Sequence, residues 1–364
     1  MTVRTVGVEE EFLLVDVATG LPAAAADSVA AWATAMGQGG TIDRELTLQQ
    51  VETATGITTD LAGLRAELVQ LRRGAAEAAA AAGTVLLATG TSPVPVSVAT
   101  TPSPRYHRMT EMYGLTAREQ LTCGCHVHVA VASDEEGVAA LDRMRPWLAP
   151  LVALAANSPF WQGKDTAYAS YRSRVWGRWP SAGSTAVFGS VDGYRDCVAA
   201  LLESGTILDE GMVYFDVRLS HRYPTVEIRV ADVALDVDDA VLVAALAAAL
   251  VETAVQEWKR GVEPITARTE LIRLATWRAS RSGLDGELVD VLARRPVPAA
   301  ELLLRLVEHV GPALEDAGRL DDVRQLVAQV LGRGTGAARQ RAAYRRSGRI
   351  EDVVLLLAEQ TLHA

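Results

Sequence analysis

Glu9 and Glu11 lie one residue apart in Val6-Gly7-Val8-Glu9-Glu10-Glu11-Phe12, within a stretch of strand character over residues 6–15. Alternate side chains of a strand share a face, so Glu9 and Glu11 point together and Glu10 points away. Two carboxylates held that close raise each other's pKa unless a cation lies between them, which makes the pair a candidate metal site. A solvated edge strand guarded by acids is the other reading of the same residues. Glu45 and Glu52 form a second acidic pair. Their spacing would bring both to one face of a helix, either as a site or as a plain solvated face. Val51, Thr53 and Thr55 favour instead a strand over 48–55 that projects Glu52 into a sheet face.

His126-Val127-His128 sits in an apolar strand, so its two imidazoles share a face. Neutral imidazole ligates metals or donates a hydrogen bond to a phosphate oxygen. A His-x-His strand also occurs in zinc amidohydrolases, which need further histidines. Of His107, His221, His309 and His363, His221 alone falls in a segment that looks like a site. A pair of core histidines is the plainer reading. In the stretch 214–232, Pro224 marks a bend between two short strands, and Val226, Ile228 and Val230 alternate against Glu227 and Arg229. That sets a carboxylate suited to a metal beside a guanidinium suited to phosphate, unless the two form an ordinary surface ion pair. The loop 168–180 collects Arg172, Arg174 and Arg178 among Tyr168, Tyr171, Trp176 and Trp179. Such a loop suits two-pronged recognition of a substrate carboxylate, though the tryptophans can equally be packing residues. Gly332-Arg333-Gly334-Thr335-Gly336 lacks the Lys-Ser/Thr ending of a phosphate-binding P-loop and reads as a connection between helices.

These residues need a scaffold, and the composition supplies one. The 364 residues are 49% hydrophobic and 22% charged, enough for a large core and unlike a disordered chain. The net charge of -10 leaves no basic face for a nucleic acid. The longest apolar run, 240–251, is too short to span a membrane, and no signal-like segment opens the chain, so the expectation is a cytoplasmic protein. Cys123, Cys125 and Cys197 are too few for a disulfide framework, and Cys123-Gly124-Cys125 lacks a zinc-knuckle spacing; small buried residues on a strand are expected. Periodicity predicts a helix over 60–82 ended by Gly83, strands over 84–89 and 121–131, and a helix over 138–156 interrupted at Pro146 and Pro150. A long aperiodic segment over 157–189 follows, of the kind that binds something. A helix over 238–259 and an almost wholly helical chain from Pro296 onward complete the pattern. With no repeat or clear linker, the expectation is one α+β domain over 1–364, with an antiparallel or mixed sheet and a helical C-terminal portion.

Taken in order, these segments resemble the carboxylate-amine ligase family, also called glutamate-cysteine ligase type 2. The resemblance rests on Gly7 to Phe12, Glu45 to Thr55, Gly124-Cys125-His126-Val127-His128-Val129, Asn157-Ser158-Pro159-Phe160-Trp161, Tyr168 to Pro180, Arg218 to Asp232 and Trp277-Arg278-Ala279-Ser280-Arg281, where Ser280 replaces an expected alanine. It implies an antiparallel sheet of about six strands, of the glutamine synthetase and glutamate-cysteine ligase type, holding ATP and two or three magnesium ions in its concave face. By the same resemblance Glu9, Glu11, Glu45, Glu52 and Glu227 are metal ligands, and His126 lies near metal and phosphates, with His128 a weaker transfer. Arg229 contacts phosphate, Arg172 receives a substrate carboxylate, and Arg218 joins it at the substrate. The implied activity joins a small carboxylate, such as glutamate, to an amine, such as cysteine, through an acyl phosphate; relatives of this kind suggest a homodimer. The competing readings are a metal-dependent amide hydrolase built around His126 and His128, and a non-catalytic nucleotide-binding module. On this register Glu10 is expected to be replaceable.

Overall fold

The computed structural model describes residues 3–37 and 42–363. In chain order its first nine strands are β1 (Val6–Asp16), β2 (Ile42–Arg44), β3 (Gln50–Ala54), β4 (Thr84–Leu87), β5 (Gly124–Ala130), β6 (Phe160–Trp161), β7 (Lys164–Asp165), β8 (Val217–Leu219) and β9 (Thr225–Asp232). Six follow the order β2-β3-β1-β5-β9-β8, every pairing antiparallel, and β6 and β7 form a separate ribbon. The expected six strands are therefore present, with one more. β1 is long enough to hold β5 along its first half, Val6 to Glu10, and β4 along its second, Leu13 to Asp16, on the same edge.

One sheet face is apolar. Val8, Phe12, Val127, Val129, Val226 and Ile228 are buried on it. The helix Val237–Lys259 packs there; it is buried on all sides over most of its length, as a core helix with an almost continuous Ala/Val/Leu sequence must be. The helix Leu61–Ala81 lies alongside. Asp60 caps it by accepting from Ala62 N and Gly63 N at 3.1 and 2.8 Å, and Gly83 ends it at a φ of +73°.

That second helix carries Arg72 in the middle of its apolar stripe, Leu64, Leu68, Ala75 and Ala78. A guanidinium buried there needs partners, and Glu10 supplies the charge. Arg72 Nε and Nη2 donate to the two Glu10 oxygens at 2.9 and 2.5 Å, and the remaining N–H groups reach the carbonyls of Ala234, Leu235 and Thr361. The register was read correctly, since Glu10 does face away from Glu9 and Glu11. Its expected replaceability is not supported, because Glu10 is wholly buried and closes an ion pair that ties four segments together.

Other departures are local. Pro150 does not interrupt a helix; it occupies the first turn of Leu148–Leu154, where a missing N–H costs little, and the only break is the 3-10 turn Arg145–Trp147 around Pro146. Pro296 lies in a short hairpin, Glu287–Asp290 with Arg295–Pro298, so the helical portion starts at Ala299. Gly332 to Gly336 does separate two helices, Leu320–Arg333 and Gly336–Ser347, and a Cβ on Gly336 would lie 2.1 Å from Asn157 Oδ1, so only glycine fits. Among the described residues no helix is long and apolar enough to cross a membrane.

Replacing Arg72 by leucine strands the Glu10 carboxylate in the core and is expected to cost about 3–5 kcal/mol of stability. Denaturant unfolding should show it, with Arg72→Leu/Glu10→Leu recovering much of the loss; equal midpoints for wild type and Arg72→Leu would contradict the structure.

Candidate functional site

The opposite, concave face of the sheet carries the polar residues, and strand register decides who meets whom. Glu9 pairs across with His126, Glu11 with Glu52, His128 with Glu227, and Arg218 with Glu227. Glu9 consequently sits between His126 Nδ1 at 3.5 Å and His128 Nε2 at 3.3 Å, while His128 Nδ1 reaches Thr225 Oγ1 at 2.9 Å. Glu45 occupies neither strand nor helix. It follows β2 in the bend before β3, from which its carboxylate joins Glu11 and Glu52. The sequence reading of a strand for Glu52 holds, and that of a helix for the pair does not.

Three ligand triads result, each with one donor atom per residue within 4.8 Å of the others: Glu11 with Glu45 and Glu52, Glu9 with Glu52 and His126, and Glu9 with His128 and Glu227. Their electrostatics differ. Burial would raise the Glu9 carboxyl, but His126 and His128 outweigh it and hold it well below the usual range. Burial acts likewise on Glu227, and Arg229 and Arg218 overcome it. Arg218 Nε donates to Glu227 at 2.7 Å, and Arg229 Nη1 closes on the other oxygen. Among the described residues no cationic side chain hydrogen-bonds the first triad, and the more distant charges of Arg172 and Arg229 only partly offset its burial. Burial and then the charge of Glu45 push Glu11 up to about 8, burial raises Glu45, and burial with Glu45, Glu9 and Glu11 raises Glu52 well above normal. Burial and the neighbouring Arg229 lower His126 to about 4, so it is a neutral imidazole at pH 7.

Arg172 enters from the aperiodic segment, whose course is fixed by a buried carboxylate. Asp232 accepts from Asn157 N, Ser158 Oγ and Ser170 Oγ at 2.7–2.8 Å, and Ser158 Oγ in turn accepts from Arg172 N at 3.0 Å. The Ser280 carbonyl holds the same loop through Ala169 N and Ser170 N. Arg172 is then buried with Nη2 3.4 Å from His126 Nε2 and with Nε unpartnered, as is Nε of Arg229. Gly124 makes the approach possible, because a Cβ there would lie 2.3 Å from Arg172 Nη2. Its N–H donates to Glu11 at 2.5 Å.

A cavity of about 730 Å³ opens over this floor. All five carboxylates, both histidines, Arg218 and Arg229 line it; Arg172 stands behind Trp176. Sequence reasoning did not single out Tyr106, Tyr214 or Asp43, which also line it. Tyr106 sits on a helix, Pro104–Tyr113, that the sequence reading did not assign, and Asp43 becomes visible only through its pairing with Glu52. His221 and Tyr223 stand at the rim.

The model of glutamate-cysteine ligase family 2 matches residues 5–355. The chain belongs to that family. A Frankia alni protein provisionally named glutamate-cysteine ligase 2-2 is 56% identical, over 99% of this chain and 97% of its own. A Streptomyces avermitilis protein provisionally named glutamate-cysteine ligase 2-1 is 54% identical, over 98% and 99%. Among solved structures, the glutamate-cysteine ligase of Francisella tularensis in complex with AMP superposes with a TM-score of 0.69 at 14% identity, over all of this chain and 90% of that one. A bifunctional glutathione synthetase from Pasteurella multocida gives 0.69 at 17%, over 99% and 52%. The antiparallel sheet with flanking helices is thus the glutamate-cysteine ligase fold.

For a member of this ligase family, the donor set fits magnesium. Oxygen donors dominate, and a hard divalent cation takes carboxylates. The histidines fall in separate triads, and His107, His309 and His363 lie elsewhere, beside Glu111, Trp147 and Glu359. A zinc site needing several histidines therefore has no ligand set among the described residues.

Because Glu11 is raised from 4.5 in the unfolded chain to about 8 in the folded one, the folded state holds more protons at this carboxyl between those two values. Stability of metal-free protein is expected to fall as pH rises from 6.5 to 8 and to level off above. Magnesium, or Glu11→Gln, should flatten that slope in denaturant melts; a slope unchanged by either would contradict the cluster.

Proposed function

We propose that the protein is an ATP-dependent ligase that activates a small carboxylate and joins it to an amine, with glutamate and cysteine or a related amine as substrates. The observation that carries this reading is the Glu11, Glu45 and Glu52 group: a buried carboxylate and two half-buried ones converging over the concave face, with no cationic side chain among the described residues hydrogen-bonded to them. Glu9, Glu11, Glu45, Glu52 and Glu227, with His126 and His128 beside them, would hold magnesium. When bound, the ions neutralise the phosphates of ATP and polarise the one transferred.

A carboxylate is a poor electrophile. In the proposed reaction its oxygen takes the terminal phosphoryl group of ATP, releasing ADP, and the amine then displaces phosphate from the acyl phosphate. Little covalent work falls to the protein, whose residues position charges. Arg229, pinned to Glu227 with Nε free, offers a preset donor to the transferred group. Arg172 orients the reacting carboxylate. His126, neutral at working pH, contributes a ring nitrogen beside Arg172 without adding a charge. The buried indole of Trp179 and the half-buried one of Trp176 wall the cavity and limit loss of the acyl phosphate to water. Arg218 supports Glu227. We further propose a soluble, cytoplasmic homodimer, on the strength of the family resemblance.

Purified protein is expected to release ADP in a magnesium-dependent way when given a carboxylate and amine pair from a panel of amino acids and amines. Glu9→Gln, Glu11→Gln and Glu227→Gln should each lower turnover by about 10²-fold or more. No ADP release with any pair, or full activity in Glu9→Gln alongside loss in a folded Glu10→Gln, would overturn the reading.

A further inference from the structure

Two helices outside the sheet, Thr269–Ser282 and Gly336–Ser347, converge on the loop that carries Arg172. The Ser280 carbonyl of the first accepts from Ala169 N and Ser170 N, both at 2.9 Å. The second reaches the loop by two routes. On its exposed side Arg341 Nη2 donates to Asp165 Oδ1 at 2.7 Å and to the Tyr168 carbonyl at 2.8 Å. On its buried side Gln340, wholly inaccessible to solvent, donates through Nε2 to the carbonyl and the side-chain oxygen of Asn157, at 3.0 and 2.7 Å.

Asn157 passes that contact on. Its Nδ2 donates to the carbonyls of Ala88 and Val233 at 2.9 Å, and its backbone N–H donates to Asp232 at 2.8 Å. Asp232 also accepts from Ser158 Oγ and Ser170 Oγ, and Ser158 Oγ receives the N–H of Arg172. A continuous chain of buried hydrogen bonds therefore runs from the helix Gly336–Ser347 to the backbone of Arg172, whose Nη2 lies beside His126. Gly336 packs on Asn157 where no side chain would fit, and Ala337 N donates to the Ala156 carbonyl at 2.9 Å, so this helix starts on the residue it holds.

Stability alone does not account for an amide at position 340. Gln340 Oε1 is buried with no partner among the described residues, an unfavourable arrangement that an apolar side chain of the same size would avoid. What Gln340 supplies is a donor that holds Asn157 Oδ1 and so keeps Nδ2 on Ala88 and Val233. The Arg341–Asp165 pair is exposed and contributes little, and the Ser280 contact is made by the main chain.

We propose that Gln340 is a positioning residue, acting through Asn157, Asp232 and Ser158 to set where Arg172 meets the reacting carboxylate. The inference rests on the role given to Arg172 in the ligase reading above. Its effect falls on the carboxylate substrate, because Glu9, Glu11, Glu52 and Glu227 stand on strands that pair with one another and do not depend on that loop.

The test uses full-length protein. Gln340→Met keeps the shape of the side chain and removes the donor, and Gln340→Leu is the second variant should the first fail to fold. With L-glutamate, L-aspartate or glutarate, whichever supports ADP release with an amine, KM for that carboxylate should rise about tenfold while KM for ATP stays within about twofold. Ser158→Ala, which removes the last link, should give the same pattern, and the double variant should be no worse than either single one, since links of one chain do not add. Leu357→Ala, a cavity in the neighbouring helix Ile350–Thr361, should lower stability without that pattern. Hydrogen exchange read by mass spectrometry follows the same link without turnover: the amides of 170–174 should exchange about tenfold faster in Gln340→Met and not in Leu357→Ala. An unchanged KM for the carboxylate, an equal rise for ATP, additive losses in the double variant, the same pattern in Leu357→Ala, or unchanged exchange overturns the assignment. If no carboxylate supports ADP release, the ligase reading fails, while faster exchange at 170–174 still supports the chain from Gln340 to Arg172.

Discussion

Three consecutive glutamates on β1 cannot share an environment, and the fold resolves their charges in three ways. Glu10 turns into the core and is neutralised by Arg72. Glu9 turns to the concave face and is flanked by two imidazoles. Glu11 turns the same way and meets Glu52 and Glu45 instead of a cation. Burying like charges together is unfavourable unless protons or metal ions intervene. The sheet is in effect built around an electrostatic deficit, and the proposed magnesium ions are what fill it.

Much of the remaining structure keeps that deficit in place. Arg72 binds β1 to a helix, to the chain following β9 and to the end of the C-terminal helix, so the register of β1 is set from the core side. Asp232 fixes the loop that delivers Arg172, and Gly124 leaves room for its guanidinium next to His126. A bulge on β9 opposite His126 lets Arg229 line both the site cavity and a neighbouring one. Each device acts on the placement of one charged group to within the length of a hydrogen bond, the precision that electrostatic catalysis requires.

The parts legible in the sequence are those governed by strand alternation. Glu9 and Glu11, His126 and His128, and Glu227 and Arg229 each follow a period of two, and each pair does share the concave face. A long, almost continuously apolar helix such as Val237–Lys259 is equally plain. What escaped depends on contacts remote in sequence. Glu10 looked dispensable because its partner lies 62 residues away, in a helix where an arginine reads as a solvated position. Pro150 looked like a helix breaker because the sequence does not say that a new helix starts two residues before it.

The central claim is that the carboxylates of the concave face share divalent cations. Manganese, which takes the same oxygen ligands as magnesium and is visible by electron paramagnetic resonance, tests it most directly. Titration of metal-free protein should show more than one bound ion per chain with spin coupling between them, and Glu52→Gln, which removes the carboxylate shared by two triads, should abolish the coupling. A single uncoupled ion, or none, or the same spectrum in wild type and Glu52→Gln, would contradict the account.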